Sequence, residues 1–268
     1  MMSSGNINHT SFTDWLAAVE HADWNKAETL LAGNVIVNGK AVARHAYIYI
    51  LQKENIRTKK LEMCIIDDES GDIAARLMHL DTGGSPSLSE QFTEQTLFSF
   101  TDGKISTIQS LGALNSTTDR KETDTTAKSA SHSGANQEGN LHQFYTNYID
   151  SINNHTMEAT FGSFCRDMVT HNHHSYTRDE YREMIESSFE EISGLHFTIE
   201  RLLVNHQTQR VAARLGFTGV PTKAFRGIQP TGKGVIFSEH AFYQLERGKI
   251  KQVWSLLDLE AYRVSIRS

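Results

Sequence analysis

Residues 92–114 read FTEQTLFSFTDGKISTIQSLGAL, and residues 237–259 read FSEHAFYQLERGKIKQVWSLLDL. At a constant offset of 145, Phe92 matches Phe237, Glu94 matches Glu239 and Phe98 matches Tyr243. Gly103-Lys104-Ile105 matches Gly248-Lys249-Ile250, and Ser110-Leu111 matches Ser255-Leu256. Each stretch is a pair of β-branched and aromatic runs about a two-residue loop, Asp102-Gly103 or Arg247-Gly248, in which glycine accepts positive φ. Working outward, Ala74-Ala75-Arg76-Leu77 matches Ala212-Ala213-Arg214-Leu215 at an offset of 138, and Arg44 and Tyr47 match Arg178 and Tyr181 at 134. The offset drifts one way because loops lengthen in the second copy, most clearly 216–233 against 78–88. Ordered matches with monotonic drift mark a tandem duplication.

Residues 115–140 separate the copies and contain no Val, Ile, Leu, Met, Phe, Tyr, Trp or Cys. Such a segment cannot offset its ordering entropy by burial and is expected to be a flexible polar linker. The expected domains are therefore 1–114 and 141–268, each long enough to bury a core. The 268 residues are 38% hydrophobic and 22% charged, which excludes wholesale disorder. A net charge of −6 argues against nucleic acid as a partner. No apolar run long enough for a membrane helix occurs, and Met1–Asp14 lacks an apolar signal core. Cys64 and Cys165 make no disulfide framework or zinc knuckle, so a reducing cytoplasmic setting is expected.

Both copies share one pattern. An amphipathic helix opens each, over about 11–31 and 141–165, the first with a break near Asp23. A short strand follows (35–37; 167–170), then a second helix (42–53; 178–192). Thr177 with Glu180 forms a capping-box signature for the later one. Four strands close the second copy, near 195–204, 209–219, 233–246 and 249–259. Pro86, Pro221 and Pro230 are expected in loops. Helices followed by an antiparallel meander give an α+β class, with a curved sheet enclosing a conical cavity.

The second copy carries further motifs: Phe144-Tyr145 through Asn154, Val169-Thr170-His171-Asn172, Val211-Ala212-Ala213-Arg214 with Gly219, Phe225-Arg226-Gly227, Pro230-Thr231-Gly232-Lys233, and Gly248-Lys249-Ile250 with Trp254 and Asp258. In this order they resemble the SnoaL-like polyketide cyclases, within the nuclear transport factor 2-like fold. The resemblance spans nearly all of 141–268; the first copy shares it only through the repeat. It implies two tandem cone-shaped α+β barrels and a cofactor-free acid/base site in the cone. It does not name a substrate. Homodimers are common in the fold, so the first, degenerate copy is expected to complete an intramolecular pseudo-dimer, with further homo-oligomers left open.

Strict alternation places Ile250, Gln252, Trp254, Leu256 and Asp258 on one face of the last strand. With the resemblance, this makes Asp258 the leading candidate acid/base, since a carboxylate desolvated against a cavity gains a pKa near neutrality. A two-residue loop pairs Leu245 with Ile250 and sets Glu239 opposite Leu256, sharing the cavity face with Asp258 while His240 points away; a bulge reverses this. Retention of Glu239 as Glu94 favours a structural role for it. His171, ending the short strand, is a pocket histidine able to exchange a proton. It falls opposite Asn38 when the short strands are aligned. His173 and His174 are expected in solvent, and no metal is expected, because no carboxylate or cysteine stands at a supporting spacing. Arg214 has a twin in Arg76, suggesting a shared ion pair with Glu239 and Glu94, or a stabiliser of an enolate. Trp254, Phe217, Tyr145 and Tyr148 are expected as cavity walls.

The leading expectation is cyclase or isomerase chemistry in secondary metabolism on an apolar, oxygenated small molecule. Two readings stand beside it: a non-catalytic binding or assembly module, and an epoxide-opening enzyme needing a second carboxylate.

Overall fold

In the computed structural model, residues 4–53, 59–80, 91–114 and 140–267 are described. The expected linker lies outside them apart from Asn140, whose side chain caps the following helix. The first unit runs α1 (Ser4–Glu20), α2 (Trp24–Thr29), β1 (Leu31–Val37), β2 (Lys40–Ala43), α3 (Arg44–Lys53), β3 (Lys59–Ile66), β4 (Ile73–Leu80), β5 (Gln91–Thr101) and β6 (Lys104–Leu114). The second repeats it: α4 (Leu141–Asn153), α5 (Met157–Phe164), β7 (Cys165–His171), β8 (His174–Thr177), α6 (Arg178–Glu191), β9 (Ile192–Asn205), β10 (Arg210–Pro221), β11 (Val235–Glu246) and β12 (Lys249–Leu257), then α7 (Leu259–Arg267).

The two sheets have the same order, β2-β1-β6-β5-β4-β3 and β8-β7-β12-β11-β10-β9. Each is antiparallel except where β1 meets β6 and β7 meets β12. The sheets are open cones rather than closed barrels, with helices covering the concave face. Apolar residues of α4 and α5, including Tyr145, Tyr148, Ile152 and Phe161, share one core with the β10–β12 face. Phe12, Trp15 and Val19 of α1 do the same for the first unit.

The opening helix breaks where expected. Ala22 takes φ 55°, and the Asp23 side chain accepts from the Lys26 amide to start α2. Thr177 and Glu180 close the capping box on α6. Both hairpin loops have two residues with positive φ. Three elements escaped the periodicity: the four-residue strands β2 and β8 are too short to show alternation, and α7 follows β12 without a glycine or proline. Pro221, expected in a loop, ends β10, where it pairs with Ile192.

The convex faces of the sheets meet. Met63, Ile65, Ala74 and Leu97 pack with Leu203, Ala212 and Phe242, and Trp254 lies against them. Polar groups stitch the seam. The Gln95 side-chain amide donates to the Trp254 carbonyl (3.1 Å), and Val204 N–H donates to Asp67 (2.8 Å). Arg201 reaches Asp72 (2.7 Å) and the Phe98 carbonyl (3.0 Å).

Candidate functional site

A cavity of about 100 Å³ opens in the second unit between its helices and the concave face of its sheet. Its walls are mostly apolar, among them Ile152, Leu215, Phe217, Phe225, Phe237 and Leu257. Its polar groups are few: Glu239 on β11, Ser255 on β12, His171 at the end of β7, the hydroxyls of Tyr148, Tyr181 and Tyr243, Ser188, and Arg226.

A bulge decides which residues enter. Ile250 pairs with Leu245 and Gln252 with Gln244, so the register slips between them. Beyond the slip, Val253, Ser255 and Leu257 oppose Tyr243, Ala241 and Glu239. One extra residue turns the rest of a strand over. Val253, Ser255 and Leu257 thus face the cavity, while Trp254 and Leu256 face the first unit. Glu239 reaches the cavity as expected, but opposite Leu257 rather than Leu256.

Asp258 is therefore not a wall of the cavity. It starts α7: its Oδ1 accepts from the Ala261 amide (2.9 Å), its carbonyl accepts from Tyr262 (3.1 Å), and its amide donates to Ser238 (2.7 Å). Trp254 joins the seam instead of the cavity wall. His240, fully buried, also belongs to the seam. The Arg214 guanidinium donates to its Nε2 (3.0 Å), which leaves Nδ1–H to donate to the Gln95 carbonyl (2.8 Å). Burial pushes the His240 pKa down to about 3, so the ring is neutral.

Arg214 does not pair with Glu239. It pairs with Glu200 on the neighbouring strand (2.7 Å), as Arg76 pairs with Glu62 (2.9 Å). The twin arginines share an ion pair, but its partner is across β9–β10 and away from the cavity. Phe217 and Tyr148 line the cavity; Tyr145 stands behind Tyr243.

Glu239, Ser255 and His171 form a chain. The Ser255 hydroxyl is hydrogen-bonded to the Glu239 carboxylate. Its oxygen lies 3.1 Å from His171 Nε2. A serine has one proton; with that proton on Glu239, His171 Nε2–H donates to Ser255. Asn172, at φ 53°, fixes the middle link: its side chain accepts from Ser255 N–H (2.9 Å), and its own amide donates to the Val253 carbonyl (2.7 Å).

The first unit serves as an internal control. Asn38 takes φ 47°, its amide donates to the Ile108 carbonyl (2.9 Å), and its side chain accepts from Ser110 N–H (2.8 Å). Asn38 is thus the counterpart of Asn172, and Val37, not Asn38, stands where His171 does. Glu94 and Ser110 repeat Glu239 and Ser255, with the Ser110 hydroxyl bonded to the carboxylate. Glu94 also accepts from the Thr96 hydroxyl (2.7 Å) and contacts His79 (2.5 Å). At the matching positions the second unit has Ala241 and Phe217. Glu239 has lost those two partners and faces an apolar wall. Burial consequently raises its pKa to about 7, against the opposing pull of Ser255 and Arg226. The glutamate is common to both units, and only in the second does it stand without a hydroxyl or imidazole at those two positions.

The aromatics change too. Phe12, Trp15 and Phe98 correspond to Tyr145, Tyr148 and Tyr243. The packing is preserved: Phe12–Phe98 centroids are 5.1 Å apart and Tyr145–Tyr243 5.2 Å. The second unit adds hydroxyls to the same rings. Tyr145 donates to Tyr243 (3.3 Å), and Tyr148 and Tyr181 share one hydrogen bond (3.3 Å). Burial raises all four phenols well above their ordinary pKa, so they remain protonated donors. His171 is pushed down to about 4 by burial and by the charges of Arg226 and His174, so it is neutral at pH 7.

Sequence reasoning missed Ser255, Tyr243, Tyr181 and Arg226. The Ser110–Ser255 match carried the first, and the Phe98–Tyr243 match the second.

No curated protein matches the chain. Residues 142–263 match the family described as SnoaL-like polyketide cyclase. Among solved structures, a SnoaL-like polyketide cyclase from Agrobacterium tumefaciens is 36% identical, covering 47% of this chain and 94% of that one, with a TM-score of 0.43. IdmH, a putative polyketide cyclase from Streptomyces antibioticus, is 13% identical over 48% of this chain and all of its own, with a TM-score of 0.43. A putative SnoaL-like polyketide cyclase from Jannaschia is 14% identical over 50% of this chain and 99% of its own, with a TM-score of 0.42. Given the family match over 142–263 and 36% identity across nearly the whole Agrobacterium chain, this chain belongs to the SnoaL-like polyketide cyclase family.

Proposed function

We propose that the second unit catalyses cofactor-free enolisation, and through it cyclisation or isomerisation, of an apolar, oxygenated polyketide- or terpenoid-like compound in secondary metabolism. The observation that carries this is the placing of Glu239: a carboxylate on an apolar cavity wall, bonded to Ser255, which His171 contacts in turn, with burial raising its pKa to about 7. Such a group is poised to take and return a proton near neutral pH.

Glu239 removes a proton from the carbon beside a carbonyl, and the electron pair moves onto the carbonyl oxygen. Tyr243 accepts a hydrogen bond from Tyr145, which leaves its own proton free to donate. The Tyr148–Tyr181 pair has a second spare proton. These phenols stabilise the oxyanion in a dry site, where hydrogen bonds count most. The enolate carbon then attacks a second carbonyl, whose oxygen takes the proton back from Glu239 to become a hydroxyl, or is itself reprotonated by Glu239. His171 and Ser255 hold the carboxylate in place. In this reading the first unit, whose carboxylate is satisfied by three neighbours, is a fused partner supporting the active unit. Epoxide opening calls for a second carboxylate, and among the described residues lining the cavity Glu239 is the sole acid.

The test is exchange of the α-protons of 2-tetralone in deuterated buffer, followed by NMR. The wild type should accelerate exchange above buffer, and Glu239→Gln should return it to the buffer rate. Exchange that persists in Glu239→Gln, or no acceleration by the wild type, would overturn the assignment.

A further inference from the structure

We infer that Arg226 is the specificity residue of the second cavity, and that the substrate carries a carboxylate which this guanidinium holds at the cavity mouth. The inference builds on the cavity being the substrate site, and it adds the chemical class of what enters.

Arg226 lies on a tight turn that the structure anchors firmly. Phe225 and Ile228 exchange both backbone hydrogen bonds (3.0 and 2.9 Å) around Arg226 and Gly227. Both central residues have positive φ, 49° and 78°, as a type I′ turn requires. Phe225 pins the turn to the core: it is 5% exposed, and its ring packs on Tyr262 (5.1 Å) and Phe237 (5.8 Å). The backbone that presents Arg226 is thus fixed relative to the cavity.

The arginine itself is exposed, lines the cavity, and has its guanidinium carbon 5.9 Å from the Phe225 ring centroid. Among the described residues it has no ion pair and no hydrogen-bonded acceptor. Other arginines of the second unit are engaged: Arg214 with Glu200, Arg201 with Asp72, Arg178 with Asp167. Arg226 lines the same cavity as Glu239 and His171, near enough for its charge to act on both. An unpaired guanidinium at the rim of an apolar cavity is a receptor for an anion on an otherwise apolar molecule. A carboxylate fits better than a phosphate. The planar fork matches a carboxylate, whereas a phosphate dianion would find no second arginine or lysine among the described lining residues.

The test compares 2-naphthoate with its methyl ester by isothermal titration at pH 6, where naphthoate is ionised and Glu239, with its pKa raised to about 7, is largely protonated. Wild type should bind the acid at least tenfold more tightly than the ester, with affinity falling as salt rises. Arg226→Met should lose that preference, binding acid and ester alike; Arg226→Lys should retain part of it. Phe217→Trp, which fills the cavity, should abolish both. Equal binding of acid and ester by the wild type, or a preference that survives in Arg226→Met, would overturn the carboxylate assignment and leave the Glu239 chemistry standing. Binding that survives Phe217→Trp, or no binding of either compound, would sink the cavity reading as well.

Discussion

Glu239 offers a test that needs no substrate, because a carboxylate kept neutral by burial makes folding pH-dependent. Its pKa is 4.5 as an ordinary glutamate and about 7 in the folded chain. Below pH 4.5 both states hold the proton and no difference arises. Between 4.5 and 7 the unfolded chain releases the proton while the folded chain keeps it, so stability falls as pH rises. Above 7 the folded glutamate ionises too and the loss levels off. At ~1.36 kcal/mol per pKa unit, the full loss is about 3 kcal/mol, of which roughly 2.5 kcal/mol falls between pH 5 and 8. Glu239→Gln cannot titrate, yet its amide oxygen still accepts from Ser255. Urea unfolding of both proteins at the two pH values isolates this glutamate, since every other titrating group cancels in the double difference. Near-UV circular dichroism is a suitable signal because Tyr145, Tyr148, Tyr181 and Tyr243 cluster in the second unit. The variant should gain on the wild type by roughly 2.5 kcal/mol from pH 5 to pH 8. An equal difference at both pH values would mean that Glu239 is an ordinary carboxylate, and the desolvation argument would fail with it.

Ala241→Thr restores the donor that Thr96 supplies to Glu94; it should lower the Glu239 pKa by about one unit and shift the pH midpoint of ketone exchange downward by the same amount. Tyr243→Phe removes a phenolic donor and should slow 2-tetralone exchange by ~10²-fold, with about 1–2 kcal/mol lost in urea unfolding because Tyr145 loses its acceptor. His171→Gln keeps a donor toward Ser255, so the pH profile should retain its single inflection near 7; an inflection that vanishes would make His171 the titrating group. Asp258→Ala should cost about 1 kcal/mol of stability through loss of the α7 cap while exchange continues, whereas loss of exchange would restore Asp258 to the chemistry.

The repeat made the duplication and the α+β class legible, because helical and strand periodicities survive in single positions such as Trp15, Tyr148 and the Gly103 and Gly248 turns. It also identified Glu239 as a frame residue through Glu94. What it could not show was which side of β12 faces inward. The difference lies in one bulged residue near Lys251, and a bulge leaves no periodic mark on a strand this short. That single slip moves Asp258 to a helix cap, sends Trp254 to the seam and brings Ser255 beside Glu239. His240 was ambiguous for the same reason; only the packing of one sheet on the other shows that its neutral ring bonds to Gln95 and Arg214. The contrast in surroundings between Glu94 and Glu239 is likewise tertiary. The same side chain is satisfied in one cone by His79 and Thr96, from separate strands, and left nearly alone in the other by Phe217 and Ala241. Local sequence determines the elements and their duplication, since these depend on residues close in the chain. Which carboxylate lies desolvated against the cavity depends on which side chains distant in sequence converge and how much water they exclude, and only the folded sheet decides that.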